Sequence, residues 1–488
     1  MTPFNRTFHP DEANQAFTTG KLLETGRYEY RPDDHHGPTL YYAAAALQKL
    51  ARHNTLQTLD GTLLRATPLL FACVALLFAF LGLRRLTRRS WTGFLFILLF
   101  ASAPIFVFFA TDFIQEMLLV CFTLMMGWAG IGYLTPGRKW KPGTWALMGG
   151  IAAGLAYATK ETCVLSFAAA FGAWGATCLT SRQKTFAPSP SHVSQHIVLA
   201  ILGFLLTAGL FYTSFGSDLS QLYNAFVAAP LSYLGRAVGS AASAGAADHV
   251  HPWWTYLAWL GARGFGYCEL LLLLPLVPAL ALRSVRRDPA LRFCAFYTFL
   301  ITLIYSVIPY KTPWCALQIV TGLAASAALA VSGLWCHFPR RGARAGCLLL
   351  VGTILSAHTV GLTLFLRDPD AKDIPYNYAS ASPEVKALAD CVAEACEEAA
   401  QNGRTPFIAV ALPPEDTWPF PWYNRPHEEQ TGYWTSFDDL RRLAQQGLKP
   451  TAVIVPMREG HLVQPLFPHL KRTKRFYMRA HVRVRVFY

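Results

Sequence analysis

The stretch from His9 to Tyr42 concentrates groups that can move protons and hold charge. It reads His9-Pro10-Asp11-Glu12-Ala13, then Leu22-Leu23-Glu24-Thr25-Gly26-Arg27-Tyr28-Glu29-Tyr30, then His35-His36-Gly37-Pro38 and Leu40-Tyr41-Tyr42. Residues 12–24 have helical spacing, with Ala13, Ala16, Phe17 and Leu23 on the apolar side. Asp11 and Glu12 stand at the N-terminus of that helix, where the dipole stabilises a carboxylate. A capped surface helix would account for them, and so would a pair of acid–base groups. Further ionisable residues border apolar runs. Asp112 and Glu116 are one helical turn apart, which predicts a shared face of one span. Lys160-Glu161 divides two apolar segments, and Lys311 lies in the break Pro309-Tyr310-Lys311-Thr312-Pro313-Trp314. An ionisable group at membrane depth costs about 2.5–3.5 kcal/mol on insertion scales, so such groups pair or line a cavity; snorkelling at the interface is the bland reading. A carboxylate can take the proton of an attacking hydroxyl. Lysines, or a metal, can neutralise a phosphate leaving group. That chemistry is sugar transfer from a polyprenyl-phosphate donor whose lipid dissolves in the bilayer. His9, His35 and His36 surround the acids. With Asp11 or Glu12 they could bind a divalent metal, but no fixed ligand spacing separates them from ordinary loop histidines.

The elements that must position these groups are membrane helices. The chain has 488 residues, 53% hydrophobic and 15% charged, where a soluble protein carries about 25% charged residues. Apolar runs fall near 62–83, 91–110, 112–134, 144–159, 162–180, 197–215, 262–282, 293–310, 314–336 and 346–366. Each is near the length that spans about 30 Å of hydrocarbon as a helix. The formal charge of +14 sits in short linkers: segments 84–90, 135–143, 181–196, 283–292 and 337–345 hold 16 Lys/Arg and one acid, Asp288. A nucleic-acid surface would not be divided in this way between apolar runs, so no nucleic-acid partner is expected. Basic linkers that alternate with polar ones are the positive-inside pattern. With ten spans they all fall on the cytoplasmic side. Residues 1–61, the loop 216–261 and the tail 367–488 then fall outside the inner (plasma) membrane. Nothing in residues 1–20 reads as a signal peptide. This predicts a preceding helix encoded upstream of Met1; a stop codon directly before Met1 would contradict it.

Three regions follow: an exoplasmic loop with the acidic motif (1–61), a helix domain (62–366) and an exoplasmic α/β domain (367–488). In the tail, Pro383–Asn402 and Phe437–Gln446 read as helices, and Phe407–Leu412, Thr451–Val455 and His481–Tyr488 as strands. It shows no Gly-rich phosphate loop and no nucleophile elbow. The eleven cysteines include no CxxC pair. The spacing of Cys391 and Cys396 puts them on different faces of one helix, against a disulfide. Loop residues Leu219–Tyr233 have amphipathic spacing, fit to lie flat on the membrane.

The run HPDEA…LLETGRYEYRPDDHHGPTLYY, with ATDFIQE, ATKE, PYKTPW and the tail's WPFPWY, resembles a prokaryotic family of flippase-activity-associated membrane proteins linked to archaeal N-glycosylation. That family is similar to GT-C glycosyltransferases of the protein O-mannosyltransferase and aminoarabinose transferase type. The resemblance implies a polytopic, mainly α GT-C bundle with a small α/β domain. It places the acidic motif of the first outer loop at Asp11 and Glu12, with Asp11 as general base. It matches Asp112 to the second outer acid, and Lys160 and Lys311 to ligands of the donor phosphate. Glu116, Glu161, His35 and His36 complete the expected substrate-binding set. The expected reaction is an inverting transfer of a hexosyl or pentosyl group to a glycan, lipid or protein hydroxyl. A non-catalytic flippase or flippase-associated protein would need the lysines but no base. An ion-coupled transporter fits less well, because the acids cluster at one membrane edge rather than at the midplane.

Overall fold

The computed structural model describes all residues except 1–2, 33–35, 136–139, 182–191, 238–248, 262–266, 372, 378–379 and 480. Two helices precede the bundle: α1 (Pro10–Thr25) and α2 (Thr39–Leu50). The bundle begins with α3 (Gly61–Thr87), whose first turn is capped by the Asp60 carboxylate accepting from the Leu63 N–H at 2.9 Å. There follow α4 (Ser90–Ala101), α5 (Pro104–Ala110), α6 (Glu116–Leu134), α7 (Pro142–Tyr157), α8 (Cys163–Thr180) and α9 (Val193–Tyr212). After a long connection come α10 (Pro289–Val307), α11 (Ala316–His337) and α12 (Arg341–Arg367). Among the described residues, seven helices (α3, α6 and α8 to α12) are long and apolar enough to cross a membrane. The bent pair α4 and α5 makes an eighth if it counts as one span.

Three of the ten expected runs therefore take other forms. The run 91–110 is bent by 76° between α4 and α5. Pro104 lacks an N–H for helix continuation and pushes Ala103 into extended conformation. Helix α7 has only 16 residues and lies between α6 and α9. Its Gly150 and Gly154 let the backbones meet: a Cβ on Gly150 would stand 2.0 Å from the Ala200 carbonyl oxygen, the small-residue contact typical of membrane helices. In 262–282 the described part is two short helices, Glu269–Leu273 and Leu276–Ala281, separated where Pro275 interrupts the ladder. The amphipathic stretch at 219–233 is helical from Gln221, with a π-helical turn at Asn224–Ala228.

The run expected as a span from 112 starts only at Glu116. Thr111–Gln115 is an irregular turn, so Asp112 and Glu116 do not share a helix face.

The tail folds as a five-stranded sheet in the order β2-β1-β3-β5-β4. Strands β1 (Ile408–Ala411), β2 (Thr431–Trp434) and β3 (Ala452–Pro456) are parallel; β4 (Thr473–Arg479) and β5 (Val482–Phe487) form an antiparallel hairpin on the β3 side. Helix α13 (Glu384–Gln401) covers the face of Ile408, Val410 and Ile454; α14 (Phe437–Gln445) covers that of Ala409, Val453 and Val455. The period-2 alternation of β1 and β3 thus supplies two cores. Strand β2 has little apolar burial and β4 is a basic edge, which is why neither stood out in the sequence. Cys391 and Cys396 are both buried in the α13 core, and all eleven cysteines are free.

Candidate active site at the N-terminus of α1

His9-Pro10-Asp11-Glu12 starts α1 as a capping box. The Asp11 N–H donates to His9 Nδ1 (3.1 Å), and the His9 N–H donates to Glu12 Oε2 (3.0 Å). Pro10 fits the first turn because its missing N–H would be unpaired there. The two neighbouring acids end in opposite environments. Glu12 is fully buried: Arg65 Nε and Nη2 donate to its two oxygens at 2.8 and 2.6 Å, and the Phe113 N–H adds a bond at 2.9 Å. Burial alone would raise its pKa. The charge and hydrogen bonds of Arg65, helped by Arg6 and the Phe113 amide, instead hold it at about 2. The Asp11 side chain is 48% exposed, with Oδ2 3.8 Å from His9 Nδ1.

Arg65 also donates to the Phe4 and Arg6 carbonyls (2.8 and 2.9 Å). Arg6 Nη2 pairs with Asp112 Oδ1 at 2.8 Å. Two carboxyl groups and two guanidinium groups therefore form one buried cluster. Burial, and then the nearby Glu12 charge, push the Asp112 carboxyl well up against the pull of both arginines. Sequence reasoning missed Arg6 and Arg65. The signal for Arg65 was present: a lone charge one turn inside an apolar run marks a buried partner.

The tail clamps this corner. The Phe8 ring stacks on Trp422 (4.7 Å between centroids) and the Phe8 N–H donates to the Tyr423 hydroxyl at 2.8 Å. The Arg65 guanidinium lies over the other side of the layer, 4.4 Å from Phe8, and Arg425 lies 3.9 Å from Trp422. The WPFPWY segment thus fixes the approach to His9 and Asp11.

Lys160 and Glu116 form a second buried ion pair. Burial would lower the Lys160 pKa; the Glu116 carboxylate outweighs it and the pKa is raised, so the ammonium stays charged. Lys160 lies 5.9 Å from the Trp314 ring, whose other neighbour is the His9 imidazole, edge-on at 6.1 Å. Trp314 of PYKTPW thereby divides two small chambers. One is lined by polar groups including Arg6, His9, Asp112, Asp370 and Asn377. The other is lined by Glu116, Lys160, Thr162 and Gln318. Arg6 Nη1 is buried at the first without a hydrogen-bond partner.

The other expected site residues lie elsewhere. Glu161 sits in a tyrosine cage: the Tyr30 and Tyr212 hydroxyls donate to Oε1 (2.5 and 3.0 Å) and His36 Nδ1 stands 3.5 Å from Oε2. Burial raises its pKa, but His36 and Tyr30 bring it below the usual range. Gly37 makes this possible, because a Cβ there would meet the Ala158 carbonyl oxygen at 2.2 Å. Lys311 caps the end of α10. Its Nζ donates to the Tyr305 (3.1 Å), Ser306 (2.9 Å) and Ile308 carbonyls, and burial pushes its pKa down. Lys311 is fully buried and gives its ammonium to carbonyls where Lys160 pairs with a carboxylate, so the two lysines that the motifs suggested as equivalent are not. His35 lies outside the described residues. No group of three His, Cys, Asp or Glu among the described residues could hold a metal ion. His9 Nδ1 and both Glu12 oxygens are already occupied by main-chain and arginine donors.

Residues 35–208 match the family model described as dolichyl-phosphate-mannose-protein mannosyltransferase. No curated protein matches the sequence. The fold is similar to ArnT from Cupriavidus metallidurans bound to undecaprenyl phosphate, with a TM-score of 0.67 and 12% identity over 99% of this chain and 94% of that one. The apo state of that protein gives a TM-score of 0.63 at 13% identity over the same shares. The archaeal oligosaccharyltransferase AglB from Archaeoglobus fulgidus, with an inhibitory peptide and a dolichol-phosphate, gives 0.54 at 11% identity over 93% of this chain and 66% of that one. The chain is a membrane protein of GT-C fold whose residues 35–208 carry a domain similar to the dolichyl-phosphate-mannose-protein mannosyltransferases.

Proposed function

We propose that this protein transfers a sugar from a polyprenyl-phosphate donor to an acceptor hydroxyl on the exoplasmic side of the inner membrane, with inversion. The observation that carries the reading is the contrast among the clustered acids. Glu12, Asp112, Glu116 and Glu161 are each buried and engaged by protein donors, whereas the Asp11 side chain is half exposed beside His9, and His9 in turn lines the polar chamber. A general base must reach its substrate. The acceptor hydroxyl gives its proton to Asp11 as its oxygen attacks the anomeric carbon. The bond from that carbon to the phosphate oxygen breaks, and polyprenyl phosphate leaves from the opposite face. In this reading Lys160, paired with Glu116 across Trp314 from His9, is the cation assigned to that phosphate, and Arg6 Nη1 a donor for the sugar or phosphate. Lys311 is left out, since its ammonium is committed to three carbonyls. Glu12 and Asp112 act as positioning residues through Arg65 and Arg6. The five basic linkers support the orientation, and the tail closes over the acceptor side.

The test uses purified protein in lipid with a panel of polyprenyl-phosphate sugars, following donor loss by mass spectrometry for the parent and Asp11→Asn. Consumption by the parent alone, with inverted product configuration by NMR, is the expected result. A donor that binds but is never consumed, even with cell-extract acceptors, would turn the reading to non-catalytic handling of lipid-linked sugars.

A further inference from the structure

The first tryptophan of WPFPWY does not join the clamp around Phe8. Trp418 packs edge-on against Phe17 of α1, 5.4 Å between centroids. Behind it a cleft of about 300 Å³ opens along the seam between α1 and the sheet, with Phe17, Lys21, Trp418, Glu428, Tyr433 and Trp434 on its walls. That volume stands at the lower end of ordinary ligand sites, about 300–1,000 Å³. The cleft lies at the carboxyl ends of the parallel strands β1 and β2, where open α/β sheets hold their ligands. Tyr433 is a large aromatic left 37% exposed. Its hydroxyl donates to Glu428 Oε2 at 2.9 Å. Burial raises the Glu428 pKa, opposed by Tyr433 and the Lys21 charge.

We infer that this cleft binds a saccharide: the glycan portion that carries, or lies next to, the acceptor hydroxyl. Pyranose rings present a face of C–H groups, which packs on the electron-rich faces of aromatic rings. Their hydroxyls, around the ring edge, suit a carboxylate and an ammonium in the same cleft. An apolar peptide would use the aromatic walls but add no hydrogen bond to the Glu428 carboxylate or the Lys21 ammonium. The cleft also shares a helix with the proposed base. Phe17 and Lys21 follow Asp11 on α1 by roughly 9 and 15 Å, at 1.5 Å per residue, a span that a short glycan can bridge. Only the role as acceptor site rests on the transfer reading; the binding does not.

The experiment probes full-length, labelled protein in detergent on an array of immobilised oligosaccharides and on a peptide array. The best saccharide is then titrated by tryptophan fluorescence. Saturable saccharide binding is expected, weakened about tenfold or more in Tyr433→Ala and Glu428→Gln, as for loss of a charged hydrogen bond. Both variants should keep the parent unfolding temperature, and Lys449→Ala should bind like the parent. No binding to any saccharide, equal binding in both cleft variants, or binding to peptides alone would overturn the inference. Asp11→Asn separates the two claims: it should bind the saccharide normally while losing transfer. Transfer without saccharide binding would sink the cleft and leave the base standing.

Discussion

Charge is used differently at the start of α1 and on the surface of the C-terminal sheet domain. Around α1 the Arg65–Glu12 pair has no exposed side-chain surface, and Arg6–Asp112 is 4% and 8% exposed. In the tail the Arg441–Asp438 pair is 53% and 73% exposed. Water screens the second pair, so it contributes little. The first cluster has no water to fall back on, so each member depends on the others. A locked frame of buried charges with Asp11 left outside it can hold the proposed base in place. A solvated pair cannot.

The comparison can be broken most directly at Asp11. Asp11→Asn should lower transfer by about 10²–10⁴-fold, the usual value of a general base, with the unfolding temperature unchanged. A large loss of stability would put Asp11 inside the frame. Glu12→Ala should behave in the opposite way and cost about 3–5 kcal/mol by stranding Arg65, measured by denaturant or thermal unfolding in detergent. Acid sharpens the same point. The folded Glu12 pKa of about 2 lies below its ordinary 4.5. The stability from its charge is therefore full above pH 4.5 and lost as pH falls toward 2. Thermal unfolding across that window should slope more steeply for the parent than for Glu12→Gln.

The two lysines give a smaller contrast. Lys311→Met should cost about 1–3 kcal/mol through uncapped carbonyls and leave the affinity for polyprenyl phosphate intact. Lys160→Met should weaken that affinity. Equal weakening in both would restore Lys311 as a phosphate ligand. At the low end, Asp438→Ala should change stability by only about 0.2–1 kcal/mol; a larger effect would mean that exposed pairs count here as buried ones do.

Much of this was legible in the sequence. Helix α1 was readable because Ala13, Ala16, Phe17 and Leu23 recur at helical spacing, and all four are buried. Strands β1 and β3 were readable because both their faces are apolar. The edge strands β2 and β4 were not, since an edge needs little burial and leaves a weak pattern. The α4–α5 bend was hidden because hydropathy does not register that Pro104 interrupts a ladder.

The sequence by itself determined the membrane class, the basic linkers and the chemistry-bearing segments, because hydropathy, charge and motif spacing are local properties. It could not rank those residues. Asp11 and Glu12 are adjacent, and Lys160 and Lys311 look alike in composition. Their separate fates depend on partners far along the chain: Arg65 for Glu12, Glu116 for Lys160, and the closing turn of α10 for Lys311. Burial and pairing are set by which distant elements meet, so only the tertiary structure decided which acid is locked and which is left exposed.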